Sequence, residues 1–184
     1  DFAALIKNCP NIYGFDYFYG IPASLDFPPY VYIENDRFTR IPSETQEHLS
    51  FPRYLRKGPK ADNFNFETAW KHLLEKASGA IDDHPADKPF FLYFALPSPH
   101  KPVWPDPQFI GKTALGPYGD FVHQTDYIVG EIVRKLEEDG LEENTLLIFT
   151  SDNGSFMFRL EGDQVSDHLQ DETIQGFFPK NHTS

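Results

Sequence analysis

The sequence predicts an α/β fold in which helices flank part of a mostly parallel sheet. Two short runs, residues 90–96 and 146–149, are apolar without interruption, so we expect strands that are buried on both faces. Between these runs, apolar residues recur at the three- and four-residue spacing of an amphipathic helix. Two strands joined by a crossover helix form a right-handed parallel unit, which is the core of this prediction.

Residues 1–63 precede that unit and are rich in aromatic residues, prolines and turn formers. This composition predicts a packed, loop-rich region with few regular elements. Residues 30–33 follow two prolines and have the β-branched and aromatic composition of a short strand. Residues 52–63 are basic and turn-rich, which is typical of an exposed connection and leaves open a contact with an anionic substrate.

The predicted core, residues 64–154, opens with a helix over about 64–81. A second helix is predicted over 120–139, with Asp120 at its positive end and Gly140 available for a left-handed cap. A buried strand at 145–151 follows, whereas residues 155–184 carry no clear period and read as an irregular tail. The apolar positions of the first helix are Phe66, Ala69, Trp70, Leu73, Leu74, Ala77 and Ile81, and those of the second are Phe121, Thr125, Ile128, Val129, Ile132 and Leu136.

The excess of acidic over basic residues argues against some classes of binding partner. The 184 residues include 16 basic and 28 acidic side chains, a formal net charge of −12. This charge makes nucleic acid and anionic membrane surfaces poor partners. No apolar run reaches the roughly 18 residues that span a bilayer. Cys9 is the single cysteine, so no disulfide can form within the chain, and we expect it to be a small buried residue.

Polar side chains follow both predicted strands at the points where the strands end. His100 lies in a proline-rich loop after residues 90–96, and Asp152 and Asn153 follow residues 145–151. Because the carboxyl ends of parallel strands meet at one edge of a sheet, we expect these side chains on the same edge. A carboxylate beside an amide oxygen can form half of a calcium site. The same Asp-Asn-Gly sequence is also a frequent turn that ends a strand.

Five stretches of the sequence are distinctive as a set: GFDYFYGIP at 14–22, PFFLY at 89–93, PHKP at 99–102, YGD at 118–120 and NTLLIFTSDNG at 144–154. Together they resemble the sulfatases of the alkaline-phosphatase superfamily, most closely the arylsulfatase-like branch. They cover most of the chain in the order that the family shows, and as a set they are specific.

The resemblance implies a sulfatase site and an alkaline-phosphatase-like sheet. By position, Asp152 and Asn153 correspond to ligands of the active-site calcium, and His100 to the histidine that contacts the sulfate ester and helps protonate the departing oxygen. The family nucleophile is formylglycine, made from the cysteine of a Cys-x-Pro-Ser-Arg motif. Cys9 is followed by Pro10-Asn11-Ile12, so it does not match that motif.

The upstream paired aspartates of the family pattern, and its lysine in a Gly-x-Lys context downstream of Asp152 and Asn153, are also missing from these residues. We therefore expect residues 1–184 to be an incomplete catalytic domain whose nucleophile lies outside the chain, and the isolated chain to be inactive. The expected substrate is a sulfate ester on an aryl, glycan or lipid group. Two alternatives stay open: a phosphate mono- or diester hydrolase of the same superfamily, and a catalytically silent module that binds sulfated glycans.

Compartment follows only from the resemblance, which implies a lysosomal or secreted protein. Asn181 begins an Asn-x-Thr sequon in the polar tail and is a candidate glycosylation site. A second sequon begins at Asn153, where a glycan would block the expected site, so we interpret that match as accidental. The sequence does not predict the oligomeric state.

Overall fold

The computed structural model describes residues 2–50, 53–85 and 87–154, together with the backbone of 164–167 and 172–175. Two long helices dominate, α1 at Ala69–Asp82 and α2 at Gly116–Glu138. Among the described residues, the sheets are small and antiparallel, and the one parallel contact is an isolated bridge between Tyr30 and Lys60. The chain therefore combines helices and strands as predicted, but the described residues do not display the mostly parallel sheet.

The loop-rich region contains a three-stranded sheet of β1 Tyr19–Gly20, β2 Ile33–Glu34 and β3 Arg37–Phe38, in the order β1-β2-β3. A hairpin turn joins β2 to β3, and Asn35 adopts a left-handed φ of 54° in it, which asparagine tolerates better than most residues. Strands β4 Glu44–Gln46 and β5 Gly58–Lys60 form a second antiparallel pair. The short strand predicted at 30–33 is thus shifted, because the chain pairs regularly only from Ile33 onward.

An aromatic core lies beneath these strands and reaches the start of α1. Tyr30, Val31 and Tyr32 are buried there although they lie outside the regular strand, because their rings and methyl groups pack against phenylalanines of residues 61–66. The buried members of this cluster are Leu25, Tyr30, Val31, Tyr32, Leu55, Ala61, Phe64, Phe66 and Ala69.

Helix α1 begins at Ala69 and not near 64. The reason is the Asn65 side chain, whose Oδ1 accepts hydrogen bonds from the backbone N–H groups of Glu67 at 2.9 Å and Thr68 at 3.3 Å. These bonds hold residues 65–68 as a turn that precedes the helix. The predicted apolar face is confirmed, because every named position is buried except Leu74, which is partly buried.

Helix α2 begins at Gly116, so Asp120 lies one turn inside it and not at its opening. The predicted apolar stripe is buried apart from Val129, which is half-buried. The stripe also includes Gln124, whose Oε1 accepts a hydrogen bond from the backbone N–H of Asp106 at 2.7 Å. The helix ends as predicted, with Gly140 at a φ of 66° directly after the cap residue Asp139.

The segment at 90–96 alternates in burial but pairs with no strand among the described residues. Phe90, Leu92, Phe94 and Leu96 pack against the two helices, whereas the Phe91 and Tyr93 side chains are 77% and 73% exposed. Alternation of this kind is the geometry of a strand covered on one face. The prediction of burial on both faces is not met, because no layer covers the second face within the part of the chain that the structure describes.

The segment at 145–150 is also without regular pairing, and Leu146, Ile148 and Phe149 are strongly exposed. The predicted buried strand is therefore absent at this position in the described residues. Most of the predicted tail at 155–184 lies outside those residues. Within it, the backbone of β6 Gln164–Asp167 pairs antiparallel with that of β7 Glu172–Gln175. No helix among the described residues is long and apolar enough to cross a membrane.

Candidate active site

His100 lies in the loop that follows the extended segment at 90–96, and its side chain is 45% exposed. The ring Nδ1 lies 2.7 Å from the carbonyl oxygen of Lys101. A carbonyl oxygen can only accept a hydrogen bond, so Nδ1 carries the proton and donates it. In the neutral ring, Nε2 is then the acceptor atom. The local backbone thus fixes the tautomer of the histidine that the sequence singles out.

Asp26 lies directly behind this imidazole and is completely buried. Its Oδ1 is 3.8 Å from His100 Nδ1 and accepts a hydrogen bond of 2.6 Å from the Ser24 hydroxyl. Its Oδ2 lies 3.8 Å from Nε of Arg56. The buried carboxylate of Asp26 therefore lies between the imidazole of His100 and the guanidinium of Arg56.

The Tyr30 hydroxyl ties together the two loops that supply Asp26 and Arg56. It donates to the carbonyl oxygen of Arg56 at 2.6 Å and also lies 3.1 Å from that of Asp26. Burial is the main reason that the pKa of Tyr30 is raised to about 12, so the hydroxyl remains a donor at neutral pH. The backbone N–H of Arg56 donates to the same Asp26 carbonyl at 3.2 Å. These bonds fix the position of the carboxylate relative to the guanidinium.

Three cations of the 53–56 loop and of residue 101 lie over aromatic rings. The Arg56 guanidinium carbon lies 3.6 Å from the Phe27 ring centroid, and Lys101 Nζ lies 5.2 Å from that of Tyr54. Arg53 stacks on Trp104 at 4.3 Å. Rings hold such cations electrostatically while leaving their N–H groups able to bind anions. In a chain with a net charge of −12, this is a local concentration of positive charge.

Asp152 and Asn153 are exposed at the end of the second extended segment. The Ser151 hydroxyl donates to the Asn153 carbonyl at 2.7 Å, and Asn153 Nδ2 donates to the Gly154 carbonyl at 2.8 Å. These bonds form a local turn and leave Asn153 Oδ1 and the Asp152 carboxylate as possible ligands. The structure thus brings His100 to Asp26 and Ser24, but it does not group Asp152 and Asn153 with further metal-ligating side chains.

A calcium site needs six to eight oxygen ligands, and Asp152 with Asn153 supplies the right kind of oxygen but too few. Among the described residues, no three His, Cys, Asp or Glu side chains converge where they could hold a metal. The two residues therefore fit calcium as a partial ligand set. Cys9 is buried and free, which agrees with a small packing residue. Asn181 lies outside the described residues, so its glycosylation stays a prediction.

Sequence reasoning missed Ser24, Asp26 and Arg56. No periodicity or motif marks these residues, since each lies in an irregular loop. The sequence feature that could have indicated Ser24 and Asp26 is their position, because they lie just after the stretch at 14–22 that carries the resemblance. Arg56 lies in the basic loop at 52–63, and the structure brings this residue to Asp26.

An imidazole and several cations on a helix-and-strand scaffold are suited to a hydrolase that acts on an anionic ester. The sulfatase family model matches residues 7–177. The chain belongs to the sulfatase family, and the predicted resemblance is confirmed. The chain is 29% identical to an N-acetylgalactosamine-6-O-sulfatase of Bacteroides thetaiotaomicron, over 97% of its own length. It is 34% identical to the N-acetylgalactosamine-6-sulfatase of Rattus norvegicus over 79% of its length, and 32% identical to human arylsulfatase A over 82%.

The fold is also similar to that of a solved structure from work on the metabolism of multiple glycosaminoglycans by Bacteroides thetaiotaomicron. The TM-score is 0.71 at 29% identity, and the match covers 84% of this chain and 39% of that chain. This chain spans 41%, 27% and 30% of the lengths of the three relatives named above. It is therefore similar to a part of each relative, and the sulfatase-like α/β architecture is shared over that part.

Proposed function

We propose that the complete protein containing this chain is a calcium-dependent sulfatase that hydrolyses sulfate esters through a formylglycine nucleophile outside these 184 residues. Membership of the sulfatase family over 7–177 supports the reaction class. The observation that carries the proposal within the site is the His100 imidazole, whose Nδ1 proton is held by the Lys101 carbonyl at 2.7 Å beside a buried Asp26. This arrangement presents Nε2 as the atom that exchanges a proton with substrate.

In the proposed reaction, His100 is the catalytic acid of this chain. As the sulfur–oxygen bond breaks, the departing oxygen receives the bonding electrons and takes a proton from Nε2. Lys101 and Arg53, held on Tyr54 and Trp104, attract the anionic ester and stabilise charge that develops on it. Asp152 and Asn153 would contribute two ligands to calcium, which when bound offsets negative charge on the sulfate oxygens.

We further propose a sulfated sugar as the natural ester, in a lysosomal or secreted protein. The names of the Bacteroides and rat relatives, both sulfatases of N-acetylgalactosamine 6-sulfate, support a glycan substrate. Aryl sulfates are useful test substrates, because a stable phenolate departs without needing a proton from the enzyme. Asn181 is proposed as a surface glycosylation site of the mature protein.

The whole chain is proposed to be one incomplete catalytic domain, with a loop-rich section at 1–63, a core at 64–154 and a tail at 155–184. Within the complete protein, residues 90–96 and 145–151 would be neighbouring strands of a mostly parallel, alkaline-phosphatase-like sheet. The alternating burial along 90–96 and the exposed apolar side chains at 146–149 support this proposal, because the apolar face of a strand is exposed when the layer that packs on it is missing.

The test compares the full-length protein with its His100→Gln variant on 4-nitrophenyl sulfate and on N-acetylgalactosamine 6-sulfate. We expect the variant to lose about 10²- to 10⁴-fold in kcat on the sugar ester, which is the usual contribution of a general acid. His123→Gln is the matched control, since His123 is exposed on α2. The 184-residue chain alone should be inactive. Faster hydrolysis of phosphate esters than of sulfate esters, with two zinc ions bound per chain, would contradict the proposal.

A further inference from the structure

Asp26 has a completely buried carboxyl group that faces His100 of the proposed active site. We propose that Asp26 is the positioning residue of His100, holding the protonated imidazole in the orientation that delivers its Nε2 proton to the leaving oxygen. The inference rests on the proposed sulfatase function. It concerns a residue that touches only the far side of the imidazole, through the 3.8 Å approach of Oδ1 to Nδ1.

The Lys101 carbonyl and the Asp26 carboxyl group both lie near Nδ1 of His100, and they act on the ring in different ways. The Lys101 carbonyl, 2.7 Å from Nδ1, accepts the Nδ1 proton and sets the plane of the ring. Asp26 is too far from Nδ1 for a hydrogen bond, and its contribution is therefore electrostatic. A carboxylate at 3.8 Å attracts the ring whenever both ring nitrogens carry protons, and so holds the imidazole in place for proton transfer from Nε2.

The surroundings of Asp26 keep this charge directed at the histidine. Its Oδ1 is anchored by the Ser24 hydroxyl at 2.6 Å. Its Oδ2 and the Nε of Arg56 are both buried and lie 3.8 Å apart, without a hydrogen bond of their own among the described residues. The guanidinium therefore stays near the carboxylate without forming the bidentate pair that would neutralise it most strongly.

If Asp26 positions His100, it affects the step in which the leaving oxygen of the ester is protonated. The nucleophilic hydroxyl loses its proton to a general base outside these 184 residues as its oxygen forms a bond to sulfur, while the bond from sulfur to the ester oxygen breaks. That ester oxygen keeps the bonding electrons and takes the proton from Nε2 of His100, which becomes neutral. A sugar alkoxide is a poor leaving group and needs this proton, whereas 4-nitrophenolate does not. A defect in His100 therefore slows hydrolysis of the sugar ester far more than that of the aryl ester.

The experiment measures kcat and KM for both esters in the full-length enzyme and in Asp26→Asn, which keeps the shape of the side chain but removes its charge. We expect kcat on N-acetylgalactosamine 6-sulfate to fall about 10- to 100-fold, the usual effect of losing the outer partner of a functional histidine. On 4-nitrophenyl sulfate we expect a loss below about threefold. Asp62→Asn is the matched control, because that carboxylate is exposed and pairs only with Arg40, at 3.5 Å, among the described residues.

In the His100→Gln background, Asp26→Asn should cause no further selective loss, because its partner is already gone. Equal losses on both esters would mean that Asp26 only supports the structure, and the inference would be wrong. If Asp26→Asn does not fold, Asp26→Ser provides the same comparison in a smaller, uncharged side chain. A wild-type enzyme inactive on both esters would instead contradict the proposed function, so the two failures are distinguishable.

Discussion

The buried carboxylate of Asp120 accepts a hydrogen bond from the backbone N–H of Gly111 at 2.7 Å, which fixes the loop that leads into α2. Its other oxygen accepts from the Thr113 N–H at 2.8 Å and the Thr113 hydroxyl at 3.1 Å. Burial by itself would raise the pKa of Asp120, but hydrogen bonds from Gly111, Thr113 and Lys112 outweigh it and lower the pKa below its ordinary value.

Asp120→Asn is therefore expected to destabilise the protein by about 1–3 kcal/mol at neutral pH, because its amide group would face a backbone donor. A lowered folded-state pKa stabilises the fold above the ordinary Asp pKa, and this stabilisation is lost as pH falls through the folded-state value. The difference between wild type and variant should thus shrink in that acid range. Urea unfolding at several pH values measures it, with the exposed Asp126→Asn as control. A difference independent of pH would contradict the assignment.

Gly140 ends α2 with two characteristic bonds. The Gly140 N–H donates to the Glu137 carbonyl at 3.0 Å, and the Leu141 N–H donates to the Leu136 carbonyl at 2.8 Å, which is the Schellman pattern. Because the φ of Gly140 is 66°, Gly140→Ala should lower the free energy of unfolding by about 1–2 kcal/mol.

Gly130→Ala is the matched control for that change. Gly130 lies inside the same helix, and nothing would lie within 4 Å of an added Cβ. Alanine is the better helix former, so this variant should gain about 0.5–1 kcal/mol. Thermal unfolding of both variants provides the measurement. Equal shifts of the two melting temperatures in the same direction would show that the sign of φ does not decide the outcome.

Asp152 is expected to bind calcium in the complete protein. Asp152→Ala should weaken the affinity for calcium by at least about tenfold, because affinity depends on the number of charged ligands. Calorimetric titration of the chelator-treated full-length protein measures this without relying on activity. Asp126→Ala, on the exposed face of α2, should leave the affinity unchanged. Unaltered calcium binding in Asp152→Ala would remove Asp152 from the ligand set.

The exposed run at 146–149 gives a test of the proposed sheet. In this chain the Leu146 and Ile148 side chains are 86% and 75% exposed, so the amides of this segment should exchange rapidly with solvent when the chain is isolated. In the full-length protein the same amides should exchange slowly, because strand pairing and burial protect them. Hydrogen exchange read by mass spectrometry compares the two. Rapid exchange in both would contradict a central strand at 145–151.

The local elements followed well from the sequence. The spacing of Trp70, Leu73, Ala77 and Ile81 predicted the buried face of α1, because helical periodicity is a property of neighbouring residues. The helix starts were less accurate. Asn65 holds a turn before α1 through its side-chain hydrogen bonds, and α2 begins at Gly116, one turn ahead of Asp120.

By itself, the sequence determined the family and the two amphipathic helices, and it predicted His100, Asp152 and Asn153 as site residues, which stays a prediction. Only the tertiary structure placed Asp26 behind His100 and brought Arg56 to that carboxylate. These contacts join loops that are distant in the chain, and loops have no period from which their path can be read. The two apolar runs show the same limit: composition indicated that they avoid water, but burial depends on which other segments pack against them.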